Sequence, residues 1–311
     1  GASVAASAYL HALNYSKERL QGSEIGAPPG APQCPIIKHP DIRRMLLQMK
    51  AYTEGVRALI LYTSYCIDME RIIEDKAERR KWINRTAFLT PVAKAYGSDL
   101  SFRVTEAAMQ VYGGYGYMKD YPIEQFLRDE KVHSIFEGTN GIQALDLAGR
   151  KLLRESEDLY TGLLKDIEDF CNENRDHKTL SSYIKTLETA GKALRDASGF
   201  ITETGKKDFP LLALYATQYM ELFGDVITGW LLLWQATIAQ KALDRIISEK
   251  GVDAKKGLDK FFSENADAAF YSGKLASARY FVSNVVSNAT SKANVIMNAD
   301  RAGLDISEYC F

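Results

Sequence analysis

Residues 135–143 read Ile135-Phe136-Glu137-Gly138-Thr139-Asn140-Gly141-Ile142-Gln143, a glycine turn that carries one carboxylate directly after two apolar side chains. Thr139 or Asn140 can cap a helix that begins here, because side chains of this kind accept hydrogen bonds from a first turn. Apolar neighbours disfavour the charged form of Glu137 and make it a stronger base when a ligand excludes water. The turn predicts a helix start with a candidate base beside it.

A glutamate before a helix is commonly a solvated or capping acid, so this turn alone does not assign a function. Upstream, residues 110–117 read Gln110-Val111-Tyr112-Gly113-Gly114-Tyr115-Gly116-Tyr117, and Tyr121-Pro122 and Arg128-Asp129 follow. A helix is expected from about Pro91 to Tyr112. The glycines come after its helical pattern over 102–112, not after a strand, and they lack the GxGxxG spacing. A nicotinamide-binding site is therefore not expected.

The order of these motifs, ending in Glu-Gly-Thr, resembles the carboxy-terminal helical domain of acyl-CoA dehydrogenases. The resemblance covers residues 1–154. It implies FAD-dependent α,β-dehydrogenation of an acyl-CoA thioester to a 2-enoyl-CoA, as in fatty acid metabolism. Family members place a helical domain and a β-domain before this point. Because no segment here has the pattern of those domains, we expect a fragment that is inactive alone.

The resemblance also implies roles for single residues of the turn. Glu137 matches the base that removes the α-proton while flavin N5 takes the β-hydrogen as hydride. The backbone at Glu137 and Gly138 is then expected to bind the thioester, with the Glu137 N–H polarising its carbonyl. Thr139 matches a residue near the flavin pyrophosphate. The turn is thus expected to contact both substrate and cofactor.

A second set of residues matches positions that contact the ADP part of FAD, namely Gln110, Gly113 and Gly114. Arg19 matches an arginine that reaches the flavin of a neighbouring subunit. The resemblance therefore implies a composite site in a homodimer or homotetramer, with an electron-transfer flavoprotein as partner.

Some positions depart from the family pattern. The segment Arg19-Leu20-Gln21-Gly22-Ser23 lacks the usual aromatic residue, which affects the contact expected of Arg19. Gly141 replaces a frequent glutamine, so a bond to the adenine side is lost, and Phe136 replaces a common tyrosine.

The remaining half of the chain is also expected to be helical, over 159–172, 178–204, 210–249 and 258–298. We therefore predict an all-α protein, with a helical bundle at 1–154 and a second helical domain at 155–311. Such an extension resembles the longer bacterial acyl-CoA dehydrogenases, including 3-methylmercaptopropionyl-CoA dehydrogenase. The apolar run at 226–234 is short for a membrane span, so a buried core helix is expected.

Composition narrows the partners and the kinds of site. The 311 residues carry a net charge of −1, which offers no basic surface for nucleic acid. Four cysteines are scattered without metal-ligand spacing, so no metal site is expected. A cytoplasmic location is expected. Three alternatives stay open: an acyl-CoA oxidase, which would use the same base, a relative of the flavoprotein of DNA alkylation response, and a helical assembly module without chemistry.

Overall fold

The structure, a computed structural model, describes residues 1–153, 158–251 and 258–311. Within these ranges no strand forms, and an isolated bridge between Leu20 and Pro35 is the extended pairing. The all-α fold class is confirmed. The α-helices are α1 Ala2–Glu18, α2 Pro40–Ile72, α3 Lys76–Tyr112, α4 Ile123–Val132, α5 Asn140–Leu145, α6 Asp158–Asn174, α7 Ser181–Lys207, α8 Phe209–Lys250, α9 Leu258–Glu264, α10 Ala266–Asn284, α11 Ala289–Asn298 and α12 Ala302–Asp305. Shorter turns are Ile36–Lys38, Gly113–Tyr117, Val286–Asn288 and Glu308–Cys310 (3₁₀) and Asp146–Leu152 (π).

The two long helices α2 and α3 are joined by a short turn and form the frame of the molecule. The Asp75 side chain caps α3 by accepting a 2.8 Å hydrogen bond from the Glu78 N–H. The helix start predicted near Pro91 is wrong, because α3 begins at Lys76 and Pro91 lies buried inside it. A proline removes one helical hydrogen bond, and here the packing of a 37-residue helix tolerates the loss.

One of two apolar clusters lies where α1 and α4 pack on the first half of α2 and the end of α3. Small alanines at Ala5, Ala8 and Ala12 let α1 approach closely, and Met49 and Val104 are fully buried beside them. This cluster positions the glycine segment that follows α3.

The larger cluster combines residues of both predicted domains, from α2 and α3 to α11. Gly224 of α8 faces the ring of Tyr96 in α3 so closely that a Cβ would overlap it, and Gly55 of α2 lies similarly against Thr228. The predicted boundary between residues 154 and 155 lies outside the described residues and stays a prediction. The described parts on either side of it share one core.

Helix α8 is the one described helix long and apolar enough to cross a membrane by length and composition, and 83% of its most apolar window is buried inside the protein. Val226, Ile227 and Leu233 have no exposed surface. The expectation of a core helix for the run at 226–234 is confirmed.

Two other expectations need correction. The helix expected over 258–298 is divided into α9, α10 and α11, with a 3₁₀ turn at Val286–Asn288. Asn265 caps α10 through its side chain, at 2.9 Å from the Ala268 N–H, which starts a new helix there. Sequence analysis did not predict α4 as a helix of its own.

Candidate functional site

Residues 134–139, here called the Glu137 loop, connect the end of α4 to the start of α5. Glu137 has a φ of 56° and Gly138 a φ of 85°. The left-handed region is unfavourable for a residue with a side chain, so the backbone at Glu137 is strained. Thr139 caps α5, since its hydroxyl accepts a 3.3 Å hydrogen bond from the Ile142 N–H. The predicted helix start is therefore confirmed.

In the described residues, the sequence neighbours of Glu137 do not bury it as expected. Glu137 is exposed, and its neighbours Ile135 and Phe136 keep 57% and 43% of their surface exposed. The expectation failed because adjacency in sequence does not bury a side chain when the loop extends away from the core. The apolar surroundings that Glu137 does have come from residues distant in sequence, since Val56, Ile60 and Ala93 line the same cavity.

Glu137 lines a cavity of about 170 Å³ together with Lys94, Ser98, His133 and Phe136. Burial lowers the pKa of Lys94, and the nearby carboxylates of Asp99 and Glu137 oppose that shift. The cavity thus has a carboxylate and an ammonium at its wall, with an aromatic ring beside them. In the described part of the chain, the Glu137 N–H donates to no protein acceptor. This N–H is therefore a donor without a protein acceptor on a residue that lines the cavity.

Asn140, the first residue of α5, forms a cluster with α3 that sequence analysis missed. Its amide donates to Asp99 Oδ1 at 2.8 Å and Ser98 Oγ at 2.9 Å, and lies 3.1 Å from the Ala95 carbonyl oxygen. Its Oδ1 accepts a 2.8 Å bond from Lys94 Nζ. We call Lys94, Ala95, Ser98, Asp99 and Asn140 the Asn140 cluster. More than forty positions separate Asn140 from its partners, so no local pattern could have indicated it.

A buried carboxylate, Glu130, lies near the same cavity. Its side chain has no exposed surface, and burial raises its pKa to about 7. His133 Nδ1 lies 3.5 Å from Glu130 Oε2, and the His133 ring packs edge-on against Phe136. The sequence signal for this contact is the spacing of Glu130, which lies two residues after Arg128 and three before His133. The prediction did not use it.

The second set of predicted residues lies at the far end of α3. Gly113 ends this helix with a φ of 59°, a conformation that favours glycine, and Gln110 is exposed on the last turn. The Arg19 guanidinium lies over the Tyr115 ring, 4.5 Å from its centre. The structure therefore places Arg19 beside the Gly113–Tyr117 turn.

Space beside the glycines is open. A Cβ added to Gly113 or Gly114 would meet no atom within 4 Å. The backbone there can accept a flat or extended ligand, with the Arg19 cation close by. These residues fit the ADP part of a dinucleotide.

The two predicted sets of residues do not form one cavity. The Asn140 cluster binds α3 at positions 94–99, whereas the glycines follow its end at 113 and 114. At 1.5 Å of rise per residue, roughly 20 Å of helix separates them. Within the described residues, no three His, Cys, Asp or Glu side chains are grouped to hold a metal ion.

Two family models match the chain. The model described as acyl-CoA dehydrogenase, C-terminal domain, matches residues 1–152, and the model described as acetyl-CoA dehydrogenase C-terminal like matches 163–307. A butyryl-CoA dehydrogenase of Syntrophomonas wolfei is 34% identical over 98% of the chain and 47% of its own length. The 3-methylmercaptopropionyl-CoA dehydrogenase of Ruegeria pomeroyi is 31% identical over 92% of the chain and 45% of its own length.

Among solved structures, an acyl-CoA dehydrogenase of Bacillus anthracis complexed with FAD superimposes with a TM-score of 0.64 at 18% identity, over 99% of the chain and 48% of that protein. At this identity the likeness shows the fold. The chain spans about half the length of the curated relatives it matches.

Proposed function

The chain belongs to the acyl-CoA dehydrogenase family, and on that premise we propose that it supplies the proton-abstracting base of an FAD-dependent acyl-CoA dehydrogenase. The observation that carries the proposal is the placement of Glu137. This carboxylate is held in a strained loop at the wall of a cavity. Strained backbone commonly accompanies a functional position.

In the proposed reaction, the Glu137 carboxylate removes the α-proton of an acyl-CoA thioester. The Cα–H bond breaks and the proton goes to the carboxylate. The electron pair of that bond forms the α,β-double bond as the β-hydrogen leaves as hydride. The Glu137 N–H donates to the thioester carbonyl oxygen, which stabilises negative charge as it develops there. Glycine is needed at position 138, because a side chain there would be strained at its φ of 85° and would overlap the Gln143 amide. In the proposed complex this glycine lets the substrate approach the backbone.

Bound FAD supplies the two-electron acceptor that takes the β-hydrogen as hydride. Gln110, Gly113 and Gly114 would hold its ADP part in the open space beside the glycines. Thr139 would contact the pyrophosphate through a hydroxyl hydrogen that its cap leaves available. Arg19 would add a cation near the phosphates.

The distance between the two sets supports a homodimer or homotetramer. We propose that Gln110, Gly113, Gly114 and Arg19 of one subunit serve the cofactor used by Glu137 of its neighbour. The support is the composite geometry.

The relatives at more than 30% identity are named dehydrogenases, which favours an electron-transfer flavoprotein over oxygen as the acceptor. An oxidase would use the same Glu137 chemistry and would differ in the step after flavin reduction. A role in fatty acid metabolism and a cytoplasmic location accord with an acyl-CoA substrate and are part of the proposal.

The test is anaerobic mixing of the full-length gene product with a panel of acyl-CoA thioesters, followed by absorbance of the flavin. We expect bleaching by at least one thioester and reoxidation by an electron-transfer flavoprotein faster than by oxygen. The 311-residue chain alone should retain little flavin. A full-length protein that binds FAD yet is reduced by no acyl-CoA would overturn the proposal.

A further inference from the structure

Asn140 holds the Glu137 loop at its end and also closes the loop on itself. Its backbone N–H donates a 3.1 Å hydrogen bond to the Ser134 carbonyl oxygen, so the first residue of the loop is joined to the residue that follows its last. The Asn140 side chain is committed to α3 through the Asn140 cluster. A shift of this one residue would therefore move both ends of the loop.

At its other end the loop is attached to α4, where the Ile135 and Phe136 N–H groups donate to the Val132 carbonyl oxygen at 2.9 and 3.1 Å. Its residues from Ile135 to Thr139 are exposed, and exposed segments with few apolar contacts open at low cost in free energy. The strain at Glu137 adds to that tendency, because a left-handed conformation persists only where surrounding structure enforces it. On the α5 side of Glu137, the position of the loop thus depends on the groups that bind Asn140.

Lys94 completes the attachment and links it to the base. Its ammonium donates to Asn140 Oδ1 at 2.8 Å, and the same side chain lines the cavity with Glu137. Attraction between Lys94 and Glu137 contributes to the electrostatics of Lys94. The Lys94 ammonium therefore binds Asn140, directly after the loop, and attracts the Glu137 carboxylate within the loop.

We propose that Asn140 and Lys94 are positioning residues for the Glu137 base. They hold the loop so that the carboxylate faces the α-carbon of a bound thioester, and they take no proton themselves. The assignment rests on the proposed function. It adds to that function the device by which an exposed and strained loop keeps a reactive orientation.

The test uses Asn140→Ala, Lys94→Met and Lys94→Arg in the full-length gene product. At saturating acyl-CoA, we expect Asn140→Ala to reduce the flavin about 10- to 100-fold more slowly, the range that a misplacement of about 1 Å costs. The half-saturating acyl-CoA concentration should change less than about threefold, because the cavity walls are intact. Lys94→Met should lose about tenfold in rate, and Lys94→Arg should restore most of it by donating to Asn140 Oδ1.

A structural readout accompanies the rates. Amide hydrogen exchange of a peptide spanning 133–143 should accelerate in Asn140→Ala and Lys94→Met and return toward wild type in Lys94→Arg. Asn174→Ala is the matched control, because Asn174 also donates a 2.9 Å bond from its amide, but within α6. It should leave both the rate and the exchange at 133–143 unchanged.

Wild-type rates and exchange in Asn140→Ala would overturn the proposal. If that variant does not fold, Lys94→Met decides, since it keeps the Asn140 amide, and a wild-type rate there also overturns it. Glu137→Gln distinguishes failure of the proposed base from failure of the proposed positioning residues. Full activity in Glu137→Gln refutes the base itself, whereas an inactive Glu137→Gln with a fully active Asn140→Ala refutes the positioning alone.

Discussion

The Glu137 loop and the contact between α3 and α8 both hold a carboxylate, but in opposite surroundings. Glu137 is exposed, on strained backbone. Asp225 of α8 is only 2% exposed. It accepts a 2.7 Å hydrogen bond from the Tyr96 hydroxyl and another of 2.7 Å from Lys292 Nζ. Burial raises the pKa of Asp225, against the opposing effect of the Lys292 ammonium.

The comparison shows that a buried acid with a shifted pKa is not by itself a catalytic site. Asp225 has its partners and joins three helices, so its burial is explained by structure. Glu137 faces a cavity and has a backbone donor free beside it. The proposed reactivity depends on a carboxylate that has no hydrogen-bond partner among the described residues, whereas the stability of the α3–α8 contact depends on a carboxylate whose hydrogen bonds are already made.

Glu137→Gln should produce the largest effect, on activity alone. The amide keeps the shape of the side chain but accepts no proton, so flavin reduction by acyl-CoA should slow by about 10²- to 10⁴-fold, the range for a general base. Stopped-flow absorbance of the full-length gene product measures it. Retention of flavin through gel filtration is the control, and a rate above about a tenth of wild type contradicts the role.

Lys292→Met tests the other region. The Asp225 carboxylate would lose its cation while staying buried, which should lower the free energy of unfolding by about 3 kcal/mol, toward the lower end for breaking a buried pair because Lys292 is partly exposed. Denaturant titration of the 311-residue chain measures the change. Lys165→Met removes the exposed pair with Asp169 and should leave the midpoint unchanged. Equal midpoints for both variants would contradict the structural role of Asp225.

Glu130→Gln tests a buried acid that has no full set of partners. The pKa of Glu130 is raised to about 7, so its stabilising contribution is complete below about pH 4.5 and is lost as pH rises through 7. Relative to the glutamine variant, wild type should lose about 2 to 3 kcal/mol of unfolding free energy over that range. The ionisable side chain beside Glu130 is His133, whose Nδ1 lies 3.5 Å from Glu130 Oε2. Comparing unfolding curves of both proteins from pH 4.5 to 8 checks this, and parallel curves would contradict it.

Glu137→Gly should have the smallest effect on the free energy of unfolding, and with the opposite sign. Glycine has no Cβ penalty at a φ of 56°, so the free energy of unfolding should rise by about 1 kcal/mol while activity is lost. Ala299→Gly is the matched control, since Ala299 has a φ of 52° far from the cavity. It should stabilise similarly and leave activity intact. A destabilised Glu137→Gly would show that the loop is not strained.

The sequence indicated the family and the helical class because the motif order is local and specific. It placed α5 correctly, since Thr139 caps a helix through its nearest neighbours. It could not indicate pairs such as Tyr96 with Asp225, which lie 129 positions apart. Such pairs arise from the packing of α8 on α3, which no periodicity in a single helix reveals.

Two errors have the same physical origin. The apolar residues before Glu137 were taken as its surroundings, although the loop leaves them exposed. Pro91 was taken as a helix start, although tertiary packing carries α3 through it. Local rules describe intrinsic preferences, and the fold overrides them where long-range contacts are strong.

The most direct measurement of the central claim is exchange of the α-hydrogen of a non-oxidisable acyl-CoA analogue with solvent deuterium, followed by mass spectrometry. The full-length gene product should catalyse exchange, because Glu137 removes a proton and returns a deuteron without net oxidation. Glu137→Gln should abolish exchange, and Glu130→Gln should retain it. Exchange at the wild-type rate in Glu137→Gln would contradict the account.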